Sequence, residues 1–116
     1  MTKTLKDMRP ATQLVHGGTL RSQFAETSEA MFLTQGFVYP TMEAAEARFK
    51  GEDPGFIYSR FSNPTVAMFE ERMAMLGGAE AARATASGMG AGTASVVSPG
   101  KMGDHVGSAP ALFGSC

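Results

Sequence analysis

Residues 58–65 read Tyr58-Ser59-Arg60-Phe61-Ser62-Asn63-Pro64-Thr65, and the organisation of the chain follows from this stretch. In an extended backbone, residues two apart share a side, so Tyr58 and Arg60 present a phenol and a guanidinium together while Ser59 faces the other way. A planar guanidinium gives two parallel hydrogen bonds to an oxyanion, and a phenolic hydroxyl adds a third donor. Taken alone, the two residues also fit an ordinary solvated strand edge. Asn63 is a good N-cap and Pro64 is favoured at the first helical position, so a helix is expected to begin there. Val66, Phe69, Met73 and Leu76 then fall on one apolar stripe, expected to face the core, and Gly77-Gly78 supplies a left-handed stop. Packing of that helix would fix the Tyr58/Arg60 segment in front of it.

About twenty residues later, Ala84-Thr85-Ala86 has the makings of a short buried strand, Ser87-Gly88-Met89-Gly90 of a turn, and Ala91 to Val97 of a helix of small residues. A strand-turn-helix of this kind offers unpaired backbone N–H groups at a helix N-terminus, where the dipole favours an anion and glycine permits close approach. Turns of small residues are common, so this one is weak as a phosphate signal by itself. Neither the dinucleotide-binding glycine fingerprint nor a lysine-bearing P-loop is present, which disfavours a nucleotide site of those kinds.

Further stretches carry a resemblance: Thr12 to Gly18, Phe32 to Pro40, Tyr58 to Thr65, Ala84 to Met89, Gly103 to Val106 and Leu112 to Ser115. In that order they resemble the N-terminal part of the pyridoxal-phosphate enzymes of cysteine and methionine metabolism, the cystathionine γ-synthase-like group. The resemblance implies an α/β fold of type I, the aspartate aminotransferase-like architecture. It divides the chain into an N-terminal arm over residues 1–60, contacting the neighbouring subunit, and the beginning of the large cofactor domain over 61–116. Tyr58 and Arg60 match the pair that reaches the cofactor phosphate of the neighbouring subunit. Gly88 and Met89 match amides that bind the subunit's own cofactor phosphate, with Ser87 beside them, and Phe113 matches the aromatic residue stacked on the pyridine ring. Many relatives carry tyrosine at that last position; phenylalanine keeps the stacking face and loses the hydroxyl.

The chemistry implied is γ-replacement, in which O-succinylhomoserine and sulfide give homocysteine, a step of methionine biosynthesis of the transsulfuration type. Cystathionine γ-synthase or γ-lyase activity is the alternative within the family, and a non-catalytic interaction fragment the alternative outside it. The four lysines, Lys3, Lys6, Lys50 and Lys101, do not match the family's Schiff-base site, so no catalytic residue is assigned, and a polypeptide of these residues alone is expected to be inactive. The partners implied are the small substrates and further copies of the chain, as a homodimer or homotetramer.

Composition agrees with a piece of something larger: 116 residues with 14 glycines, 6 prolines and 43% hydrophobic residues leave little for an independent core. The first forty residues lack strong periodicity, whereas Thr41 can cap a short helix in which Met42, Ala45 and Phe49 share a face. Ten basic against eleven acidic residues, with no basic cluster, argue against nucleic acid. No apolar segment is long enough for a membrane span, and Met1 to Pro10 lacks the apolar stretch of a secretion signal. The single Cys116 excludes an intrachain disulfide and fits a cytoplasmic setting. With His16 and His105 far apart, no metal-ligand spacing exists, and neither histidine is assigned a catalytic role.

Overall fold

A computed structural model describes residues 4–111. The elements are a 3₁₀ turn (Leu5–Asp7) and four helices: α1 (Pro10–His16), α2 (Met42–Lys50), α3 (Pro64–Gly77) and α4 (Gly88–Val97). Three of the expected helix signals act as the sequence suggests. The Asn63 side chain caps α3 by accepting from the Thr65 N–H at 2.9 Å, with Pro64 at the start, and Gly78 closes the helix in the left-handed region at φ 60°. Thr41 caps α2 by accepting from Ala44 N–H at 3.1 Å. Helix α1 lies where sequence periodicity was weak; Pro10 at its first turn is the local signal for it.

The chain divides into two compact units, Met1–Ala82 and Arg83–Cys116. In the first, α1 packs on α3, and the chain leaving α1 does so without side-chain bulk. A Cβ on Gly18 would lie 2.9 Å from Glu71 Cγ, and Gly18 has φ +67°. Arg72 on α3 ties this approach together, donating to the Gly17 carbonyl at 3.1 Å, to Thr19 Oγ1 at 3.1 Å and to both carboxylate oxygens of Glu29 at 2.5 and 3.1 Å. Around α2, Arg48 pairs with Asp53 at 2.9 Å and lies over the Tyr39 ring, whose other neighbour is Phe49. The second unit contains α4 and the loop after it, where Lys101 N–H donates to Asp104 at 2.7 Å.

Two expectations are corrected. The Val66/Phe69/Met73/Leu76 stripe does not face the core: these side chains are 41, 52, 37 and 58% exposed, while Met68 and Ala74 are buried at 2 and 6%. The reason is that α1 and its glycines approach the Met68/Glu71/Met75 side of α3, the side anchored by Arg72, and a helix turns inward the side that has a neighbour. The short strand expected at Ala84-Thr85-Ala86 is also absent. Among the described residues there is no strand, only one isolated antiparallel bridge between Gly36 and Tyr58. Ala84-Thr85-Ala86 is exposed and forms no strand. No helix of the described residues is long and apolar enough to cross a membrane.

Candidate functional site

The Tyr58–Thr65 stretch is held by a lattice of hydrogen bonds to residues 32–36. Ser59 N–H donates to the Gln35 carbonyl at 2.9 Å, and the Ser59 hydroxyl donates to the Thr34 carbonyl. Phe32 N–H donates to the Thr65 hydroxyl at 2.8 Å. Asn63, only 7% exposed, donates through Nδ2 to the Phe32 carbonyl at 3.0 Å and to Ser59 Oγ at 2.9 Å while its Oδ1 caps α3. Buried amides are costly unless satisfied, and this one has its acceptor on the helix and its donors on Phe32 and Ser59. Two stretches that sequence separates by some twenty-five residues thus form one local structure.

On this support Tyr58 and Arg60 come together, though not through the extended backbone anticipated for them. The bridge ends at Tyr58 and the chain turns at once, with Phe61 and Ser62 N–H groups returning to the Tyr58 carbonyl at 2.9 and 3.2 Å. Helix α3 starts six residues on, at Pro64. The turn nevertheless brings the Arg60 guanidinium within 5.4 Å of the Tyr58 ring centre and 5.6 Å of the Phe61 ring centre. Ser59 points away into the lattice, as alternation predicted. Among the described residues neither the Tyr58 hydroxyl nor the Arg60 guanidinium has a hydrogen-bond or carboxylate partner. Arg60 is exposed and Tyr58 half-buried. The geometry therefore offers a cation beside a phenol, both with donors unspent, the donor set an oxyanion requires.

In the second unit, Ser87 is the N-cap of α4, its hydroxyl accepting from Gly90 N–H at 3.1 Å, and Gly88 and Met89 occupy the first two helical positions. Their N–H groups have no intrahelical acceptor by the geometry of a helix start, and they are exposed. The anticipated glycine-rich N-terminus is present, one turn longer than Ala91 to Val97, without the strand before it. Ser87 spends its acceptor on its own helix, which leaves its O–H as the group it can offer. Phe113 lies outside the described residues.

Sequence reasoning missed Glu29, Arg72 and the bonding of Ser59 and Asn63 to the arm. An arginine in a mostly apolar helix was the only signal for the first pair. Arg72 holds the Glu29 carboxyl down at about 2, chiefly by donating to it, and Glu29 in turn raises Arg72.

A profile of the Cys/Met metabolism PLP-dependent enzyme family matches residues 11–116. An O-succinylhomoserine sulfhydrylase from Mycobacterium tuberculosis is 50% identical over 115 residues, covering 98% of this chain and 28% of that protein. One from Pseudomonas aeruginosa is 51% identical over 104 residues, covering 90% and 26%. An L-methionine gamma-lyase from Porphyromonas gingivalis is 38% identical over 104 residues, covering 90% and 26%. The chain thus spans about a quarter of the length of these relatives. Among solved structures, a Campylobacter jejuni protein assigned as an O-acetylhomoserine (thiol)-lyase matches 58% of this chain and 17% of its own, at 28% identity and TM-score 0.55. It carries a pyridoxyl-lysine monophosphate.

Proposed function

The chain belongs to the Cys/Met metabolism PLP-dependent enzyme family, and on that premise we propose that the protein carrying it is an O-succinylhomoserine sulfhydrylase. Its reaction would break the Cγ–O bond and replace the succinyloxy group by sulfide, giving homocysteine and succinate. When bound, pyridoxal phosphate supplies the electron sink for this chemistry through its pyridine ring. The residues of this chain do a different job, holding and orienting the phosphate end.

The observation that carries the assignment of the site is the Tyr58/Arg60 pair, whose donors have no acceptor among the described residues and whose backbone is laced to the arm. A phosphate dianion is the group whose charge and lone pairs match a guanidinium fork plus a phenol. In this reading Tyr58 and Arg60 bind the phosphate of the neighbouring subunit. The Gly88 and Met89 amides with the Ser87 hydroxyl bind the subunit's own phosphate, and Phe113 stacks on the ring. Residues 1–60 serve as an arm on the neighbour, 61–116 begin the α/β cofactor domain of fold type I, and the cytoplasmic protein is at least a dimer, a tetramer if dimers pair.

The support for the sulfhydrylase over the lyase is the difference in identity between the two kinds of relative, 50 and 51% against 31 to 42%. Supplying O-succinylhomoserine and sulfide to the native protein should yield homocysteine. Release of 2-oxobutanoate, ammonia and methanethiol from methionine at a comparable rate would replace this reading with the lyase. For the site, Arg60→Ala should weaken pyridoxal phosphate binding at least tenfold in a cofactor titration, since a dianion loses its charged partner. An unchanged dissociation constant would remove Arg60 from the site.

A further inference from the structure

We infer that Asn63 is a positioning residue for the cofactor phosphate, acting through Ser59 on the Tyr58/Arg60 turn, an inference that rests on the phosphate reading of that pair. Three observations lead there. Asn63 is buried, and each end of its amide is committed: Oδ1 accepts from Thr65 N–H at 2.9 Å, and Nδ2 donates to the Phe32 carbonyl at 3.0 Å and to Ser59 Oγ at 2.9 Å. Ser59 lies between the two phosphate-facing residues, and its own hydroxyl and N–H continue the chain of bonds to Thr34 and Gln35. Thr65 completes the ring by accepting from Phe32 N–H at 2.8 Å.

The physical consequence is a rigid coupling of three backbones, the arm at 32–36, the turn at 58–62 and the start of α3, through one side chain. An exposed arginine on a turn samples many directions, and holding its backbone lowers the ordering cost of closing on an anion. Asn63 touches neither phosphate nor cofactor in this account. It fixes where Tyr58 and Arg60 begin.

Helix capping and positioning are separable because they use opposite ends of the amide. Asn63→Asp keeps an acceptor for Thr65 N–H, at a helix N-terminus where a carboxylate is favoured, but replaces the donor facing Phe32 O and Ser59 Oγ by an oxygen. Ser59→Ala removes the relay and leaves the cap intact. The full natural polypeptide carrying these residues, stripped of cofactor, would be titrated with pyridoxal phosphate by absorbance and fluorescence, with helicity and melting followed on the apoprotein.

Expected are dissociation constants about tenfold or more above the parent for both variants, with helicity retained. A parent-like constant for Asn63→Asp beside a weakened Arg60→Ala would overturn the role of Asn63 and leave the phosphate site standing. A parent-like constant for Arg60→Ala would overturn the site itself and this inference with it. Should Asn63→Asp fail to fold, Ser59→Ala decides: binding at the parent's level would sink the relay.

Discussion

Arg72 shows how much one side chain can settle. It reaches from α3 to Gly17, Thr19 and Glu29, and so joins residues more than forty positions apart in sequence. Glu29 is partly exposed, so the pair is screened by salt and its contribution is read best through its pH dependence. Because the folded carboxyl is depressed to about 2 from an ordinary 4.5, its stabilisation is complete above 4.5 and is lost as pH falls toward 2. Glu29→Gln should therefore flatten the decline of melting temperature between those two values, and a variant whose acid decline matches the parent's would show that the pair does not persist in solution. Arg60 is the contrasting case, a guanidinium with an aromatic floor and, among the described residues, no carboxylate. The sequence pointed to it by type and spacing, whereas nothing in the sequence paired Arg72 with Glu29.

At the scale of elements, α3 separates what periodicity can and cannot tell. Its limits were legible because capping is local chemistry: Asn63 and Pro64 open it and Gly78 closes it. Its orientation was not, since Val66, Phe69, Met73 and Leu76 form the more conspicuous stripe and yet lie exposed, while Met68 is the most buried large side chain. In the 116-residue chain, Met68→Ala should cost about 2–5 kcal/mol in urea unfolding, within the range for truncating a buried methionine. Leu76→Ala should stay within about 0.5 kcal/mol, as for an exposed position. The reverse order of the two would restore the stripe to the core. Helix α4 makes the complementary point. Its cap is Ser87, which the sequence suggested only as part of a turn, and Gly88, Gly90 and Gly92 within it each lower helix propensity by up to about 1 kcal/mol relative to alanine.

Taken as a whole, the molecule has two units of unequal consolidation. Met1–Ala82 contains the packed face of α3, the arginine anchor and the arm lattice, while no described residue of Arg83–Cys116 is buried. Local stability follows buried contacts, so amide hydrogens of α4 should exchange within seconds to minutes and those in the middle of α3 markedly more slowly. Equal protection of the two helices would contradict this division. Sequence by itself determined the family, the limits of α3 and the Thr41 cap of α2, and named the candidate phosphate-binding residues, because motif spacing and capping depend on residues near one another in the chain. Only the tertiary structure decided which side of α3 is covered, that Ala84 to Ala86 forms no strand, and that Asn63 and Ser59 bind residues 32–35 to the Tyr58/Arg60 turn. Those outcomes depend on which distant backbone arrives alongside, and neither hydrophobic periodicity nor residue type records the identity of a neighbour thirty residues away.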